Sequence, residues 1–178
     1  MPLENIFTIS TDEEFNAMAL KTFQVQYHEN LVYQEFCRHL GKKVSNVKTL
    51  ADIPFLPIEF FKSKKVICGS FTPQITFTSS GTTGSEVSKH HVKNLELYEN
   101  SYLTAFRHFY GDIEDYCVLA LLPSYLEREG SSLIYMANDL IHKSKHPDSG
   151  FYLDDLDRLQ KTLLELDAQN TKTLLLGV

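Results

Sequence analysis

The feature that most constrains the fold is an uninterrupted apolar run at residues 117–122, which ends at Pro123. A strand of this kind has no polar face, so it must be covered on both sides, as the inner strands of parallel sheets are. A second short apolar run follows at residues 173–176. Between the two runs, an amphipathic helix is predicted by the spacing of Leu156, Leu159, Leu163 and Leu166. Strands separated by helices predict an α/β fold with a mostly parallel sheet flanked by helices.

The first fifty residues are predicted to form a helical section. Thr11 and Glu14 have the spacing of a capping box, and apolar residues recur behind them at helical intervals. A second helix is predicted around residues 31–40, and Gly41 is well placed to end it. Two prolines make residues 53–62 a connector that cannot begin as a regular helix. We therefore predict a helical section at 1–50 and an α/β region at 51–178, forming one structural domain together.

Two further helices flank the apolar run at residues 117–122. Asn94 can cap the first, which is expected to end at Gly111. Its predicted buried stripe consists of Tyr98, Tyr102, Ala105, Phe106 and Phe109. The second is predicted over residues 131–141. Upstream, alternation at residues 74–78 predicts a strand that leads into a loop rich in glycine and hydroxyl groups.

Composition excludes several classes of function. The formal net charge is −6, and no basic block exists that would serve as a nucleic-acid-binding face. No segment has the roughly 18 uninterrupted apolar residues that a membrane span needs, and the first residues lack the pattern of a secretory signal. Three cysteines without CxxC spacing are typical of reduced thiols rather than of a disulfide framework or a zinc site. These features predict a cytoplasmic protein.

The loop at residues 79–84 concentrates the groups that bind phosphate. It consists of Ser79, Ser80, Gly81, Thr82, Thr83 and Gly84. Glycines let the backbone amides approach a ligand closely, and the hydroxyls add further donors. The spacing matches neither a Walker A loop nor a dinucleotide-binding fingerprint. A polar hairpin turn remains the alternative interpretation.

This loop resembles the phosphate loop of the adenylate-forming enzymes, which include acyl-CoA ligases, luciferases and peptide-synthetase adenylation domains. The usual Pro-Lys after the second glycine is absent, and the next lysine is Lys89. The run Ser88-Lys89-His90 is instead similar to the branch that contains the acyl-protein synthetase of bacterial luminescence. Residues 53–62, 121–132 and 174–178 look like the same branch, so the resemblance covers about residues 50–178.

The resemblance implies a partial adenylate-forming large domain, with ATP and Mg²⁺ as cofactors. It also implies a reaction in which a carboxylic acid, most naturally a fatty acid, becomes an acyl adenylate. The acyl group then passes to a thiol, such as that of CoA or of an acceptor protein. Residues 79–84 and Ser88 would bind the phosphates of ATP, and Lys89 would act on the departing pyrophosphate. A solvated surface lysine is the competing interpretation of Lys89.

A second group of residues would contact the acyl or oxyanion part of the substrate. It consists of Arg128, Gly130, Ser131 and Ser132. Ordinary helix capping by one of the serines, and a solvated charged turn around Arg128, are the alternatives. Adjacent His90 and His91 would point to opposite sides of a strand, so we expect surface or loop residues rather than a catalytic pair.

The adenine loop, the ribose aspartate and the mobile catalytic lysine of the resembled family are not found before Val178. We therefore expect the chain to be an amino-terminal part of such an enzyme, which folds but does not turn over alone. The acyl-accepting cysteine of the luminescence synthetase would also lie further on, so none of the three cysteines takes that role. A non-catalytic binding module and part of a phenylacetate-type CoA ligase remain as rival interpretations, and oligomerisation stays open.

Overall fold

The computed structural model describes residues 3–79, 86–124, 128 and 130–177. The chain divides into two compact units, Met1–Leu95 and Glu96–Val178. The predicted boundary between residues 50 and 51 falls inside the first unit. No helix among the described residues is long and apolar enough to cross a membrane.

The first unit begins with helices. A 3-10 helix at Leu3–Thr8 precedes α1 (Asp12–Glu29) and α2 (Leu31–His39). The predicted capping box is confirmed, because Thr11 accepts from the amide of Glu14 while the Glu14 carboxylate accepts from the amide of Thr11. Gly41 follows α2 with a φ of +66°, as its predicted role in ending the helix requires. The core of this helix pair consists of Phe23, Tyr33, Cys37 and Val47.

The connector to the first strand contains little regular structure. A 3-10 helix at Leu50–Asp52 is followed by extended backbone at Ile53, and α3 (Phe60–Ser63) is a single turn. The expectation that the prolines prevent a regular helix at the start of this connector is confirmed. Strands β1 (Ile75–Thr78) and β2 (Lys89–Val92) then pair antiparallel as a separate two-stranded sheet.

The second unit is a three-stranded parallel sheet between helices. Its elements are α4 (Leu95–Tyr110), a 3-10 helix (Ile113–Asp115), β3 (Cys117–Leu121), α5 (Ser132–Ser144), β4 (Gly150–Phe151), α6 (Leu156–Ala168) and β5 (Thr173–Gly177). The strand order is β4-β3-β5, and both pairings are parallel. The predicted α/β class and the central position of the apolar run are confirmed.

The two faces of β3 are covered by different helices. Cys117 and Leu119 pack with Tyr152 and the α6 residues Leu159 and Leu166. On the opposite face, Ala120 and Leu122 pack with Ala137 of α5. The four residues Cys117–Ala120 are fully inaccessible to solvent. The absence of a polar face on this strand is therefore explained by helices on both sides of the sheet.

The predicted stripe of α4 is only partly buried. Tyr102 and Phe106 are buried and pack with Leu140 of α5, whereas Ala105 is exposed and Phe109 is 75% exposed. Helical periodicity gives the direction in which a side chain points, but it does not show how far along the helix the covering elements extend. The expectation that Ala105 and Phe109 are buried is wrong for this reason.

A hydrogen-bonded network joins α4 to α5. The Tyr102 hydroxyl donates to Asp139 Oδ2 at 2.6 Å, and Lys143 Nζ donates to Asp139 Oδ1 at 2.9 Å. Burial raises the pKa of Tyr102, and the hydrogen bond to the Asp139 carboxylate and the nearby charges of Asp139 and Glu99 raise it further. The network therefore favours a protonated Tyr102 in the folded state.

The raised pKa of Tyr102 predicts a loss of stability at alkaline pH. An unfolded tyrosine releases its proton near pH 10, whereas the folded one keeps it, so the free energy of unfolding falls as the pH rises above about 10. Tyr102→Phe removes this proton and is expected to make the alkaline decline shallower, at a cost of about 1 kcal/mol near pH 7.

Urea unfolding between pH 7 and 11 measures both effects. Tyr110→Phe, at an exposed position of the same helix, is the control. If the free energy of unfolding fell equally steeply with pH in Tyr102→Phe, the alkaline decline would not come from Tyr102.

Candidate functional site

Two hydrogen bonds between Ser79 and Ser88 close the segment that contains the glycine-rich loop. The amide of Ser79 donates to the carbonyl oxygen of Ser88 at 3.1 Å, and the amide of Ser88 donates to the Ser79 hydroxyl at 3.0 Å. These bonds extend the ladder of β1 and β2 by one step beyond the pair of Thr78 and Lys89. The loop thus begins and ends at a closed hairpin base, to which Ser79 contributes a side chain. Ser80, Gly81, Thr82, Thr83 and Gly84 lie outside the described residues.

The register of the hairpin sorts its side chains onto two faces. Residues directly opposite each other in a ladder share a face. One face carries Ile75, Phe77, His90 and Val92, of which Phe77 and Val92 are buried. The other carries Thr76, Thr78, Lys89 and His91. We call this second set the polar face; Lys89 belongs to it, at the step next to the loop.

The two histidines of β2 have different surroundings. His90 lies against Phe61 of α3, with ring centroids 6.4 Å apart. His91 belongs to the polar face, where its Nδ1 and the Thr76 hydroxyl form a hydrogen bond of 3.0 Å. Their expected opposite orientations are confirmed, and His90 is exposed, as expected. His91 is partly buried, and both residues lie in a strand rather than in a loop.

The electrostatic surroundings of His91 are positive. Partial burial lowers the pKa of His91, and the charges of Lys65, Lys89 and His90 lower it further. Lys65 lies two residues beyond the end of α3, the helix that contacts β2. Both effects, burial and positive charge, therefore favour the neutral form of the His91 imidazole.

Sequence reasoning missed a local excess of positive charge around the hairpin. Residues 60–95 contain five lysines and one acidic residue, Glu86, in a chain whose net charge is −6. The lysines are Lys62, Lys64, Lys65, Lys89 and Lys93. Counting charge in a sliding window, rather than over the whole chain, would have found this excess.

The lysines around the hairpin, unlike many of those elsewhere, have no acidic partner among the described residues. Ion pairs to carboxylates are made by Lys42, Lys143, Lys145, Lys161 and Lys172. No such pair joins any lysine of residues 60–95 to a described carboxylate, although Lys93 lies over the Phe71 ring at 5.8 Å. Uncompensated cations favour the binding of an anion.

The second group of predicted site residues lies in the other compact unit. Ser131 is the N-cap of α5, and its hydroxyl accepts from the amide of Ile134 at 3.4 Å, which is the capping role given as the alternative. Ser132 is exposed, and its carbonyl oxygen accepts from the Tyr98 hydroxyl at 2.9 Å. Gly130 has a φ of +81°, which favours glycine. Arg128 is exposed, and its amide donates to the carbonyl oxygen of Ser124.

Neither a metal site nor a reactive cysteine is evident in the part of the chain that the structure describes. No group of three or more His, Cys, Asp or Glu side chains there could hold a metal ion. Cys37, Cys68 and Cys117 are free thiols, and burial raises the pKa of each. A raised pKa disfavours the nucleophilic thiolate.

The chain matches no protein-family model, no curated protein and no solved structure.

Proposed function

We propose that the chain binds the phosphates of ATP at the β1–β2 hairpin, as part of an enzyme that activates a carboxylic acid. The proposed reaction begins when the acid attacks the α-phosphate of ATP and pyrophosphate leaves. The resulting acyl adenylate then transfers its acyl group to a thiol or another acceptor. The similarity of residues 79–84 and 88–90 to the adenylate-forming enzymes supports this reaction.

One observation carries the proposal: a hairpin whose loop has the composition of a phosphate loop also has an uncompensated lysine, Lys89, at its base. The Ser79 and Ser88 hydrogen bonds hold the two ends of this loop together. Lys89 follows directly and is exposed, with no described carboxylate paired to it. A polar turn that served only to connect two strands would not require this charge.

The proposed roles of the residues follow from where negative charge develops on ATP during the reaction. Departure of pyrophosphate increases the negative charge on the β- and γ-phosphates, and donors already in position stabilise that charge. Lys89 would supply the cation, while the loop amides and hydroxyls would supply hydrogen bonds. A magnesium ion, where one accompanies ATP, is usually held by the phosphates and only one or two carboxylates, so it does not require a dedicated protein cage.

The sequence resemblance supports a separate proposal, that some residues at 128–132 contact the acid. Because the Ser131 hydroxyl already caps α5, Arg128 and the exposed Ser132 are the side chains that we propose for this contact. Gly130, which lies between them in the sequence, would allow a turn there through its positive φ.

The test combines nucleotide binding with ATP–pyrophosphate exchange. We expect residues 1–178 to bind ATP weakly and AMP more weakly still, because the proposed contacts are to the terminal phosphates. Exchange should be measured with a panel of fatty and aryl acids, on residues 1–178 and on the full-length gene product. Acid-dependent exchange by the full-length product supports the proposal.

The negative outcomes are equally specific. Absence of exchange with every acid, together with retained ATP binding, would favour a non-catalytic phosphate-binding module. Equal binding of ATP and AMP would contradict the assignment of the hairpin to the terminal phosphates.

A further inference from the structure

We propose that residues 55–65, which we call the apolar–basic segment, attach the protein to the surface of an anionic lipid bilayer. In this arrangement Phe55 and Ile58 insert among the acyl chains, and the lysines that follow them lie at the phosphate headgroups. The proposal concerns a surface of the first unit. It depends neither on ATP binding nor on acid activation.

The apolar–basic segment exposes two large apolar side chains to solvent. Phe55 is 85% exposed, the largest fraction for a large apolar residue in the part of the chain that the structure describes, and Ile58 is 67% exposed. Keeping such side chains in water is unfavourable, and their burial recovers free energy. Because the two lie three residues apart, they form a local apolar surface rather than scattered single exposures.

The backbone around these two side chains is fixed to the helices of the first unit. The Tyr33 hydroxyl donates to the carbonyl oxygen of Pro54 at 2.7 Å. Leu56 packs against the core between α1 and α2, and the Phe60 ring lies 5.8 Å from the Phe36 ring. Residues before, between and after the two exposed side chains are thus anchored inward. The exposed side chains therefore project outward from a fixed backbone.

Positive charge follows the apolar part of the segment. Lys62, Lys64 and Lys65 are exposed, and Glu59 is the one acidic residue among residues 55–65. Three lysines and one glutamate give the segment a net charge of +2, whereas the whole chain carries −6. The amide of Lys62 donates to the carbonyl oxygen of Glu59 at 3.0 Å, within the turns that lead into α3. Residues four apart in such turns share a side, so Lys62 lies on the same side as Ile58.

This combination fits an anionic bilayer better than a protein partner. Apolar side chains that enter the acyl boundary, beside lysines that attract anionic headgroups, are typical of interfacial membrane binding. Protein–protein interfaces are instead enriched in arginine and depleted in lysine. The segment contains three lysines and no arginine. A side chain as exposed as Phe55 also protrudes rather than lining a groove into which a protein partner could fit.

The first test is co-sedimentation of residues 1–178 with lipid vesicles at low ionic strength. We expect binding to phosphatidylcholine vesicles that contain phosphatidylglycerol, much weaker binding to phosphatidylcholine alone, and weakening by salt. Phe55→Ser is expected to lower the partition coefficient by about tenfold or more. Phe109→Ser is the matched control, because Phe109 is 75% exposed in the second unit. Equal losses in the two variants would overturn the proposal.

The contribution of charge is tested separately. Lys62→Ala is expected to lower partitioning into the anionic vesicles about fivefold, as is typical of one lysine near an anionic surface. Lys161→Ala, at an exposed position of α6, is the control and should leave partitioning nearly unchanged. Equal effects of the two substitutions would show that the charge of the whole chain governs binding, which would overturn the role of the segment.

Insertion into the bilayer is tested by fluorescence, because the chain contains no tryptophan. The emission of Phe55→Trp is expected to shift to shorter wavelength when anionic vesicles are added, whereas that of Phe109→Trp is expected to stay unchanged. An unshifted emission of Phe55→Trp would contradict insertion. Absence of vesicle binding, together with self-association that Phe55→Ser abolishes, would overturn the proposal and identify the segment as a contact between copies of the chain.

Discussion

Leu119→Ala is expected to destabilise the second unit by about 2–5 kcal/mol, among the largest effects of any single truncation in this chain. Leu119 is fully buried at the centre of β3, where it packs with Tyr152 and the leucines of α6. The truncation removes apolar contacts and leaves a cavity that the sheet cannot close easily, because both neighbouring strands constrain the backbone. Urea unfolding followed by circular dichroism measures the change in the free energy of unfolding.

The control for this prediction is Leu175→Ala. Leu175 lies directly opposite Leu119 on β5, but its side chain is 51% exposed. The same chemical change should therefore cost much less there. Similar losses at the two positions would show that burial in the described sheet does not determine the stability of this unit.

Lys89→Ala is expected to slow ATP–pyrophosphate exchange by about 100-fold in an active protein that contains residues 1–178. The reason is that the charge is proposed to act on the departing pyrophosphate, whose negative charge grows in the transition state. The KM for the carboxylic acid should change little, because Lys89 is not proposed to contact the acid. Steady-state exchange kinetics at varied acid and ATP concentrations separate these effects.

Two comparisons make the Lys89 prediction decisive. Lys89→Arg retains the charge and is expected to recover part of the rate. Because Lys89 is exposed, Lys89→Ala should change the free energy of unfolding by no more than about 0.5 kcal/mol. An unchanged exchange rate in Lys89→Ala would show that Lys89 is a solvated surface lysine without a role in the reaction.

Elements whose signals are local were predictable from the sequence. The capping box of Thr11 and Glu14 is made by residues three apart, and the apolar run of β3 directly shows a strand covered on both faces. Strand β4, by contrast, consists of only Gly150 and Phe151, and its backbone pairs with Leu119 and Ala120 of β3. Two residues carry no periodicity, so the pairing is determined by the rest of the sheet and was not predicted.

The candidate site also combines elements that local sequence patterns predict with elements that they do not. The strand before the glycine-rich loop was predictable, because Ile75 and Phe77 alternate with threonines. Its partner β2 begins with Lys-His-His, which has no apolar alternation, so β2 itself was not predicted. The antiparallel pairing of β1 and β2 agrees with the hairpin that was the alternative interpretation of the loop. The contact of Phe61 with His90 could not be predicted from the sequence either, because it depends on how α3 packs against β2.

The position of β3 in the sheet has a consequence for synthesis on the ribosome. Both neighbours of β3 come later in the chain, β4 at residue 150 and β5 at residue 173. During translation, β3 therefore emerges with both edges unpaired and with its most apolar residues uncovered by α6. Unpaired apolar strands are the segments that associate with other chains before folding is complete. The nascent second unit should thus be most vulnerable to aggregation while residues 122–177 are being made, and chaperones that bind extended apolar segments would have their main target there.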